Sequence, residues 1–294
     1  MGPTTLFDKS FIQSLSIDES VWFDRFFLPV VCPIFYVETL ADLAKTPRDG
    51  RTAEREVRII ASKFPEMQGS PCVEYSELSL ANLMGHEVPM DGRVLRPGGR
   101  AVSGGGRTGI VYDQSLEDAA FERWQKEDFA NVERLFAARW REQLKAIKLD
   151  DIAGRVRSLG ITPQSCRSLP EAYKLAAQIA GSNERTVEQV GLAIRLLCIQ
   201  QKHHRPISKR WHNAGRPSLS KFAPYTAFVL TIEVFFQIAL AAELISTNRN
   251  SNRTDIAYLF YLPFCQVFVS SDRLHQKVAS LFLRPDQEFV WDRI

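Results

Sequence analysis

Two short apolar segments near opposite ends of the chain each lead to an aspartate, and they constrain the fold more than any other feature. TTLF is followed by Asp8, and QVFVS is followed by Ser271 and Asp272. Short runs of β-branched and aromatic residues are typical of buried strands, and apolar residues at helical spacing follow Asp8. Strands that alternate with helices are typical of α/β proteins with a parallel sheet. We therefore expect both segments in one such sheet.

A second strand–helix unit predicts the position of Glu38. The run FFLPVVCPIFYV is β-prone, is interrupted by two prolines and leads into a helix with Glu38 in its first turns. Asp42 lies one turn further along on the same face, and we expect it at the surface or in a supporting role. Near the other end of the chain, Thr254 is expected to cap a helix that starts at Asp255. EFVWD predicts a last strand.

The segment between these units predicts a mostly helical insertion over residues 51–217. It separates residues 1–50 from residues 218–294, which we expect to form one core together. The Gly- and Pro-rich stretch 65–113 predicts loops with one hairpin, in which SGGGRTG is the tip and VEYSEL and GIVYD are the β-like runs. Ser115 is expected to cap one long amphipathic helix.

The composition is that of an ordinary soluble globular protein. Hydrophobic residues make up 45% and charged residues 24% of the 294 residues, and the net charge of +3 is too small to indicate a partner. The five cysteines include no C-x-x-C pair, which predicts a reducing, cytoplasmic compartment without a disulfide framework. The first residues lack the features of a signal peptide.

The apolar stretch over residues 222–245 is long enough to cross a membrane. It contains Glu233, Gln237 and Glu243, and each charge near a bilayer centre costs about 2.5–3.5 kcal/mol on insertion scales. A buried helix of a soluble protein is the favoured interpretation. A membrane-associated protein anchored by this stretch is an alternative that the sequence leaves open.

Four carboxylates are predicted to meet at one edge of the sheet: Asp8, Glu38, Asp255 and Asp272. Ligands in open α/β sheets bind outside the carboxyl ends of the strands, where Asp8 and Asp272 collect. The N-termini of the helices that carry the other two acids are directed there as well. Carboxylates gathered in one crevice repel each other, and a divalent cation relieves that repulsion. Oxygen ligands select Mg²⁺ or Mn²⁺ over zinc.

These acids lie in sequence motifs that resemble a known family. In chain order, FDKS, FYVETL, TDIAYLFYL and VFVSSD are similar to the four acidic motifs of PIN-domain nucleases. The helix-starting Asp255 followed by a Ser-Ser-Asp that closes an apolar strand is the most specific part. The resemblance covers roughly residues 3–50 and 222–294. The chain departs from a minimal PIN domain in the long gap between its second and third acids.

The resemblance implies a three-layer α/β/α core with a central parallel sheet and the activity of a metal-dependent nuclease, with RNA favoured over DNA as substrate. One or two Mg²⁺ or Mn²⁺ ions, held by Asp8, Asp255 and Asp272 with Glu38 direct or through water, would activate a water that attacks a phosphodiester. Products with 5′-phosphate and 3′-hydroxyl ends are implied. Three serines are expected to orient the carboxylates or contact phosphate: Ser10, Ser270 and Ser271. The partner is nucleic acid, and a homodimer or an inhibitory partner protein is left open.

A tract from Gln189 through Ile232 has no acidic residue and many basic ones. Basic side chains can follow phosphates, and an aromatic among them can stack on a base. A solvated surface with ordinary basic loops is the alternative interpretation. The predicted nucleic-acid contacts in this tract are Lys202, Arg205, Lys209, Arg210, Trp211 and Arg216. Arg249 and Arg253, which precede Asp255, are predicted contacts as well.

Two further interpretations stay open at this point. One is a catalytically inactive PIN-like module that binds RNA or a protein without cutting; the intact set of acids argues against it. The other concerns His275, which is close in sequence to Asp272 and could lie near the crevice. Its position in a predicted helix makes an exposed surface histidine the favoured interpretation.

Overall fold

The strands form one parallel sheet and one separate hairpin. The computed structural model describes residues 2–46, 50–64 and 70–291. The strands in this part of the chain are β1 (Thr4–Phe7), β2 (Leu28–Val31), β3 (Ser70–Pro71), β4 (Gly99–Gly104), β5 (Arg107–Tyr112), β6 (Val267–Ser270) and β7 (Glu288–Trp291). The sheet has the order β3-β2-β1-β6-β7, and all four neighbouring pairs are parallel. The antiparallel pair β4–β5 stands apart from it.

Helices make up most of the remaining described chain. They are α1 (Lys9–Ser14), α2 (Ile17–Phe26), α3 (Pro33–Leu40), α4 (Ala53–Ala61), α5 (Tyr75–Met84), α6 (Leu116–Trp124), α7 (Asn131–Ala146), α8 (Leu149–Arg157), α9 (Leu169–Gly181), α10 (Thr186–Leu196), α11 (Gln201–Asn213), α12 (Leu219–Phe222), α13 (Pro224–Ala241), α14 (Asn252–Tyr258) and α15 (Arg273–Val278). Short 3₁₀ turns extend α3, α14 and α15. The chain is therefore a mixed α/β protein, as predicted, and its parallel sheet is compatible with α/β/α layering.

The central strand β1 joins the two ends of the chain. Leu6 pairs with Val30 of β2 on one side and with Phe268 of β6 on the other. All three side chains are fully buried. Strands buried on both faces are typical of parallel sheets covered by helices, and this explains why these runs are almost continuously apolar. The prediction that TTLF and QVFVS share one sheet is confirmed.

Helix α1 is fixed at both ends, and this fixes the loop that follows β1. Asp8 caps its N-terminus by accepting a hydrogen bond from the backbone N–H of Phe11 at 2.9 Å. At the other end, the buried Lys63 donates to the carbonyl oxygens of Ile12, Gln13 and Leu15. A lysine in this position satisfies carbonyl groups that the helix end leaves without partners.

Helix α13 forms the interior of the helical part. Most of its side chains are buried, and it packs against α5, α8 and α9. Its length and apolar composition would also suit a membrane span, and no other helix in the described residues meets both conditions. Packing inside the protein accounts for its apolar sequence without lipid. The prediction of a buried helix over this stretch is confirmed.

Several local predictions need correction. VEYSEL forms no strand; it contributes the start of α5, which Glu74 caps by accepting from Ser76. The helix capped by Ser115 is two helices, α6 and α7. Helix α14 begins at Asn252, so Thr254 lies within it and does not cap it. The hairpin with a glycine tip is confirmed, although residues 65–69 of the Gly- and Pro-rich stretch lie outside the described residues.

One strand of the main sheet comes from the middle of the sequence. β3 lies within the segment predicted as an insertion, and its residues pair with Val30 and Val31 of β2. The buried apolar residues of that segment also belong to the same hydrophobic cluster as those of the sheet. The middle segment and the sheet therefore share one core.

Candidate acidic site at the sheet edge

The two central strands bring Asp8 and the loop before Asp272 side by side. Phe7 of β1 pairs with Val269 of β6, so the residues that follow both strands leave the sheet at the same edge. Asp8 follows β1 directly, and Ser270 and Asp272 lie at and just beyond the end of β6. This is the edge at which open parallel sheets bind their ligands.

Asp8 is held by a dense set of donors. Its side chain is buried and accepts hydrogen bonds from the hydroxyl groups of Ser10 at 2.8 Å and Ser270 at 2.6 Å, in addition to the N–H of Phe11. Burial alone would raise the pKa of this carboxyl. The hydrogen bond and charge of His275, with the bonds from Ser270 and Phe11, instead lower it. Asp8 is therefore a stable buried carboxylate.

His275 completes this arrangement, and the prediction of an exposed histidine is wrong. Its ring is fully buried. Nε2 lies 2.7 Å from the carbonyl oxygen of Asp255, and Nδ1 lies 2.7 Å from the hydroxyl of Ser270 and 3.2 Å from Oδ2 of Asp8. Burial by itself would lower the pKa of the imidazole, but the Asp8 carboxylate, with Asp255, raises it to about 9. A doubly protonated ring donates through both nitrogens, as these contacts require.

Asp255 has the opposite environment. Burial raises the pKa of its carboxyl well above the usual range; the charge of His275 opposes this rise, and the nearby Asp272, Glu38 and Asp8 add to it. Its Oδ2 atom is buried and has no hydrogen-bond partner among the described residues. A buried carboxylate oxygen without a donor is costly unless a cation or an ordered water satisfies it. Oδ2 of Asp255 is therefore an oxygen that a cation or a hydrogen-bond donor would stabilise.

Glu38 joins the site from α3. The hydroxyl of Tyr258 donates to its Oε2 at 2.5 Å and so links α3 to α14. Burial raises the pKa of Glu38, while the charge of Lys9 and the bond from Tyr258 act against that rise and Asp8 adds to it. Lys9 is itself buried, and its Nζ donates to the carbonyl oxygen of Glu38 at 2.9 Å.

Asp272 is the most accessible of the four acids. It caps α15 by accepting from the N–H of Leu274 at 2.6 Å, and its own N–H donates to the hydroxyl of Ser270 at 3.0 Å. Arg249 lies 3.7 Å away, measured from Nη2 to Oδ2, and its side chain is 56% exposed. Ser271, between the strand and this cap, is partly buried.

The four acids share one electrostatic environment without forming a finished metal site. Among the residues that the structure describes, no group of three or more His, Cys, Asp and Glu side chains lies close enough together to hold a metal ion. The donor set nevertheless suits Mg²⁺ or Mn²⁺, because it consists of carboxylates and includes the unpartnered Oδ2 of Asp255. A cation would draw these groups closer together and offset the charges that raise the pKa of Asp255.

Asp42 is not a surface acid. Its side chain is buried and forms ion pairs with Lys9 and Lys45 at 2.5 and 2.6 Å, and with Arg141 at 3.1 Å. Since Lys9 also contacts Glu38, Asp42 supports the site through that lysine. The sequence placed Asp42 on the correct face of the helix but did not reveal its three cationic partners.

Only part of the predicted nucleic-acid surface is available. The indole of Trp211 is buried and donates to the carbonyl oxygen of Pro217 at 2.8 Å, so it cannot stack on a base. Arg210 donates to the carbonyl oxygen of Leu83 and lies over the ring of Phe222, and Arg253 is paired with Glu233. Arg210 is thus held by contacts within the protein, whereas Arg253 is paired, among the described residues, through Nη2 alone. The members of the set that are exposed are Lys202, Arg205, Lys209, Arg216 and Arg249.

The architecture defines the class of the protein as a mixed α/β protein with a parallel five-stranded sheet and acidic residues at the carboxyl ends of its central strands. No family model, no curated protein and no solved structure matches the chain. The chemistry of the site is therefore argued from its own residues.

Sequence reasoning missed three residues that shape the site: Lys9, Tyr258 and His275. Lys9 directly follows Asp8, and Tyr258 lies one turn after Asp255, so both were adjacent to singled-out positions. Leu274 beside His275 and Val278 one turn later, in RLHQKV, are a weak signal that one face of this helix packs inward. None of these signals identifies the residue that Lys9, Tyr258 or His275 contacts, because each contact joins residues far apart in the sequence.

Proposed function

We propose that this protein is a metal-dependent nuclease with a PIN-like three-layer core, and that it acts as an endoribonuclease. The observation that carries the proposal is Oδ2 of Asp255, which is buried, lacks a partner in the described chain and lies within the electrostatic influence of Asp272, Glu38 and Asp8. Phosphodiester hydrolysis places negative charge on the reacting phosphate. An acidic site can favour that charge only with bound cations, and the unpartnered Oδ2 of Asp255 offers an oxygen ligand for one.

The proposed ligands of Mg²⁺ or Mn²⁺ are Asp8, Asp255 and Asp272, with Glu38 direct or through a water. A bound ion supplies a more acidic water as nucleophile and a counter-charge for the phosphate. The chain supplies orientation: Ser270 and His275 fix Asp8, and Tyr258 fixes Glu38. Groups that hold ligands in place in this way commonly matter nearly as much as the ligands.

The exposed basic residues extend the proposal to the path of the substrate. Lys202, Arg205 and Lys209 are exposed on α11, and Arg216 follows this helix. We assign them phosphate contacts, which are independent of base sequence and weaken as salt rises. Within this proposal residues 1–50 and 218–294 carry the four acids of the catalytic core, and residues 51–217, which add β3 to the sheet, select the substrate.

A specific observation favours a second candidate, a PIN-like module that binds RNA or a protein without cutting. Asp8 already has its hydrogen-bonding capacity filled by Ser10, Ser270 and Phe11, with His275 beside it. An acid so well satisfied has less to gain from a metal ion than Asp255 has. The two candidates differ in whether a divalent cation binds.

The deciding experiment is cleavage of labelled single-stranded RNA and DNA in Mn²⁺, Mg²⁺ or EDTA. We expect RNA to be cut with either metal and to stay intact in EDTA. An Asp8→Asn/Asp272→Asn double variant should lose cutting. An Asp150→Asn/Asp151→Asn variant is the matched control, because it removes two exposed carboxylates of α8 away from the site.

Each result assigns the protein to one of the two candidates. Metal-dependent cutting by the wild type and the control, but not by the double variant, supports the nuclease. Intact RNA with the wild type, together with unchanged thermal unfolding in Mn²⁺, rejects the nuclease. RNA binding under those conditions would then identify the non-cutting module.

A further inference from the structure

A pocket of about 350 Å³ lies beside the acidic site, between α3, α7, α14 and the start of α5. This volume is at the lower end of the range of small-molecule sites. The residues that decide its character are Ile34, Val37, Tyr75, Trp140, Glu74 and Arg253. None of the four proposed metal ligands lines this pocket.

The pocket and the acidic site share two walls. Val37 lines the pocket and Glu38 follows it on α3, while Thr254 lines the pocket and Asp255 follows it on α14. The Tyr258–Glu38 hydrogen bond joins these helices at the acidic side. The pocket and two of the acids are therefore carried by neighbouring positions of the same two helices.

The pocket walls suit a planar ring. Ile34, Val37 and Leu144 supply aliphatic surface, and Tyr75 and Trp140 supply aromatic surface. Trp140 is partly exposed and is stacked on Phe136 at a centroid distance of 6.3 Å. Proteins that recognise single-stranded RNA place unstacked bases on aromatic side chains and bind their edges with hydrogen bonds.

The polar edge of the pocket provides one acceptor group and one donor group. Oε2 of Glu74 accepts from Ser76, whereas Oε1 receives no hydrogen bond from the part of the chain that the structure describes. Nη2 of Arg253 donates to Glu233 at 2.5 Å, and Nη1 is buried without a partner in that same part of the chain. A buried guanidinium nitrogen without an acceptor indicates a missing partner.

We propose that this pocket binds a guanine base of the RNA substrate, next to the phosphate at the acidic site. The Watson–Crick edge of guanine presents two neighbouring N–H donors and one carbonyl acceptor. The free side of the Glu74 carboxylate matches the donors, and Nη1 of Arg253 matches the carbonyl oxygen. Adenine and cytosine place a ring nitrogen acceptor beside their amino group, which a carboxylate repels, and uracil offers a single donor. This inference rests on the proposed nuclease function for its substrate.

Binding can be measured without cutting, in EDTA, by fluorescence anisotropy of labelled pentaribonucleotides. The four probes are UUGUU, UUAUU, UUCUU and UUUUU. We expect UUGUU to bind at least tenfold more tightly than the others, because a site built around specific hydrogen bonds rejects ligands that leave its polar groups unpaired.

Two pairs of variants test the assigned contacts. Glu74→Gln should reduce the UUGUU preference at least tenfold, because an amide presents donors to the N–H groups of guanine; its carbonyl oxygen can still cap α5. The control is Glu77→Gln, an exposed glutamate on the same helix that does not line the pocket. Trp140→Ala should weaken binding of all four probes, and Trp22→Ala, which removes an exposed indole on α2, should not.

The outcomes separate this proposal from the nuclease proposal. Equal binding of the four probes, absence of binding by all four, or the same behaviour of Glu74→Gln and Glu77→Gln overturns the guanine pocket. The same probes in Mn²⁺ report cleavage independently. A guanine preference without cleavage supports the pocket and rejects the nuclease, whereas cleavage at equal rates without a binding preference rejects the pocket alone.

Discussion

The two sides of the acidic site differ in how well their carboxylates are satisfied. On the β1–β6 side, Asp8 has donors on both oxygens and a lowered pKa. On the α14 side, Asp255 has a buried oxygen with no donor in the described chain and a raised pKa. Both acids are near His275, but the histidine donates to the side chain of Asp8 and only to the backbone of Asp255. The hydrogen bonds to Asp8 stabilise its carboxylate, whereas Oδ2 of Asp255 has neither a donor nor a cation in the described chain to stabilise it.

The largest expected effect comes from removing the shared histidine. His275→Leu removes the imidazolium that pairs with Asp8 and leaves this buried carboxylate without a cation. Removing one partner of a buried ion pair costs about 3–5 kcal/mol. We expect the free energy of unfolding in EDTA, from urea denaturation, to fall by about 3 kcal/mol or more. Gln276→Leu, at the exposed neighbouring position, should change it by less than about 0.5 kcal/mol. A loss below about 1 kcal/mol for His275→Leu would mean that Asp8 does not depend on the histidine.

The second effect concerns the cation that the α14 side is expected to bind. Saturating Mn²⁺, at about a hundred times its dissociation constant, adds about 2.7 kcal/mol to stability. The melting temperature of the wild type should therefore rise by roughly 5 °C or more. Asp255→Asn should lose most of this rise, while the Asp150→Asn/Asp151→Asn control should keep it. A full rise in Asp255→Asn would place the bound cation elsewhere.

A third, smaller effect should have opposite signs on the two sides. In EDTA, Asp255→Asn removes a buried charge that its surroundings disfavour, so we expect a gain on the order of 1 kcal/mol in the free energy of unfolding. Asp8→Asn should instead lower it, because a cap and the partner of His275 are weakened. Urea denaturation of both variants at one pH measures this contrast. Losses of similar size in both would remove the distinction between the two sides.

The smallest effect is expected at the solvent edge of the site. Arg249 and Asp272 form a long, largely exposed ion pair, and such pairs contribute little. Arg249→Gln should change the free energy of unfolding by less than about 0.5 kcal/mol. Its effect on RNA binding, measured by anisotropy in EDTA at two salt concentrations, should be larger and should shrink as salt rises. Salt-independent binding loss would indicate a role other than phosphate contact.

The sequence predicted the sheet better than the helices around it. Strands β1, β2, β6 and β7 were found because their apolar runs are short, β-branched or aromatic, and bounded by polar residues. VEYSEL has the same composition but forms the start of α5, where Glu74 provides a cap and Leu78 is buried in the core. The break between α6 and α7 was missed because the apolar spacing continues through it. Local sequence patterns therefore locate secondary-structure elements but do not determine whether a segment forms a strand or a helix, or where a helix is interrupted.

The candidate site shows the same limit at the level of side chains. Element boundaries placed Asp8 and Asp272 correctly beyond the ends of two neighbouring strands, and Glu38 and Asp255 lie in helices, as predicted. Trp211 is buried and bonded to the nearby Pro217, which the basic residues around it did not indicate. Burial of His275 could not be predicted, because its ring contacts Asp8, which is distant in the sequence. Which oxygen of an acid has a donor also depends on such contacts. The contrast between Asp8 and Asp255 was therefore invisible in the sequence.

The position of β1 between β2 and β6 determines when the contacts of Asp8 can form during synthesis of the chain. Ser270 is made 262 residues after Asp8, so the ribosome must deliver nearly the whole described chain before the hydroxyl can reach the carboxylate. Until then β1 has an unpaired edge, and Asp8 lacks its histidine. The entropic cost of closing so long a loop grows only with the logarithm of its length, about 0.6 kcal/mol per doubling. The separation in sequence therefore delays the contact but lowers its stability only slightly. The hydrogen bonds around Asp8 therefore cannot be complete until residues 270–275 have been synthesised and have left the ribosome.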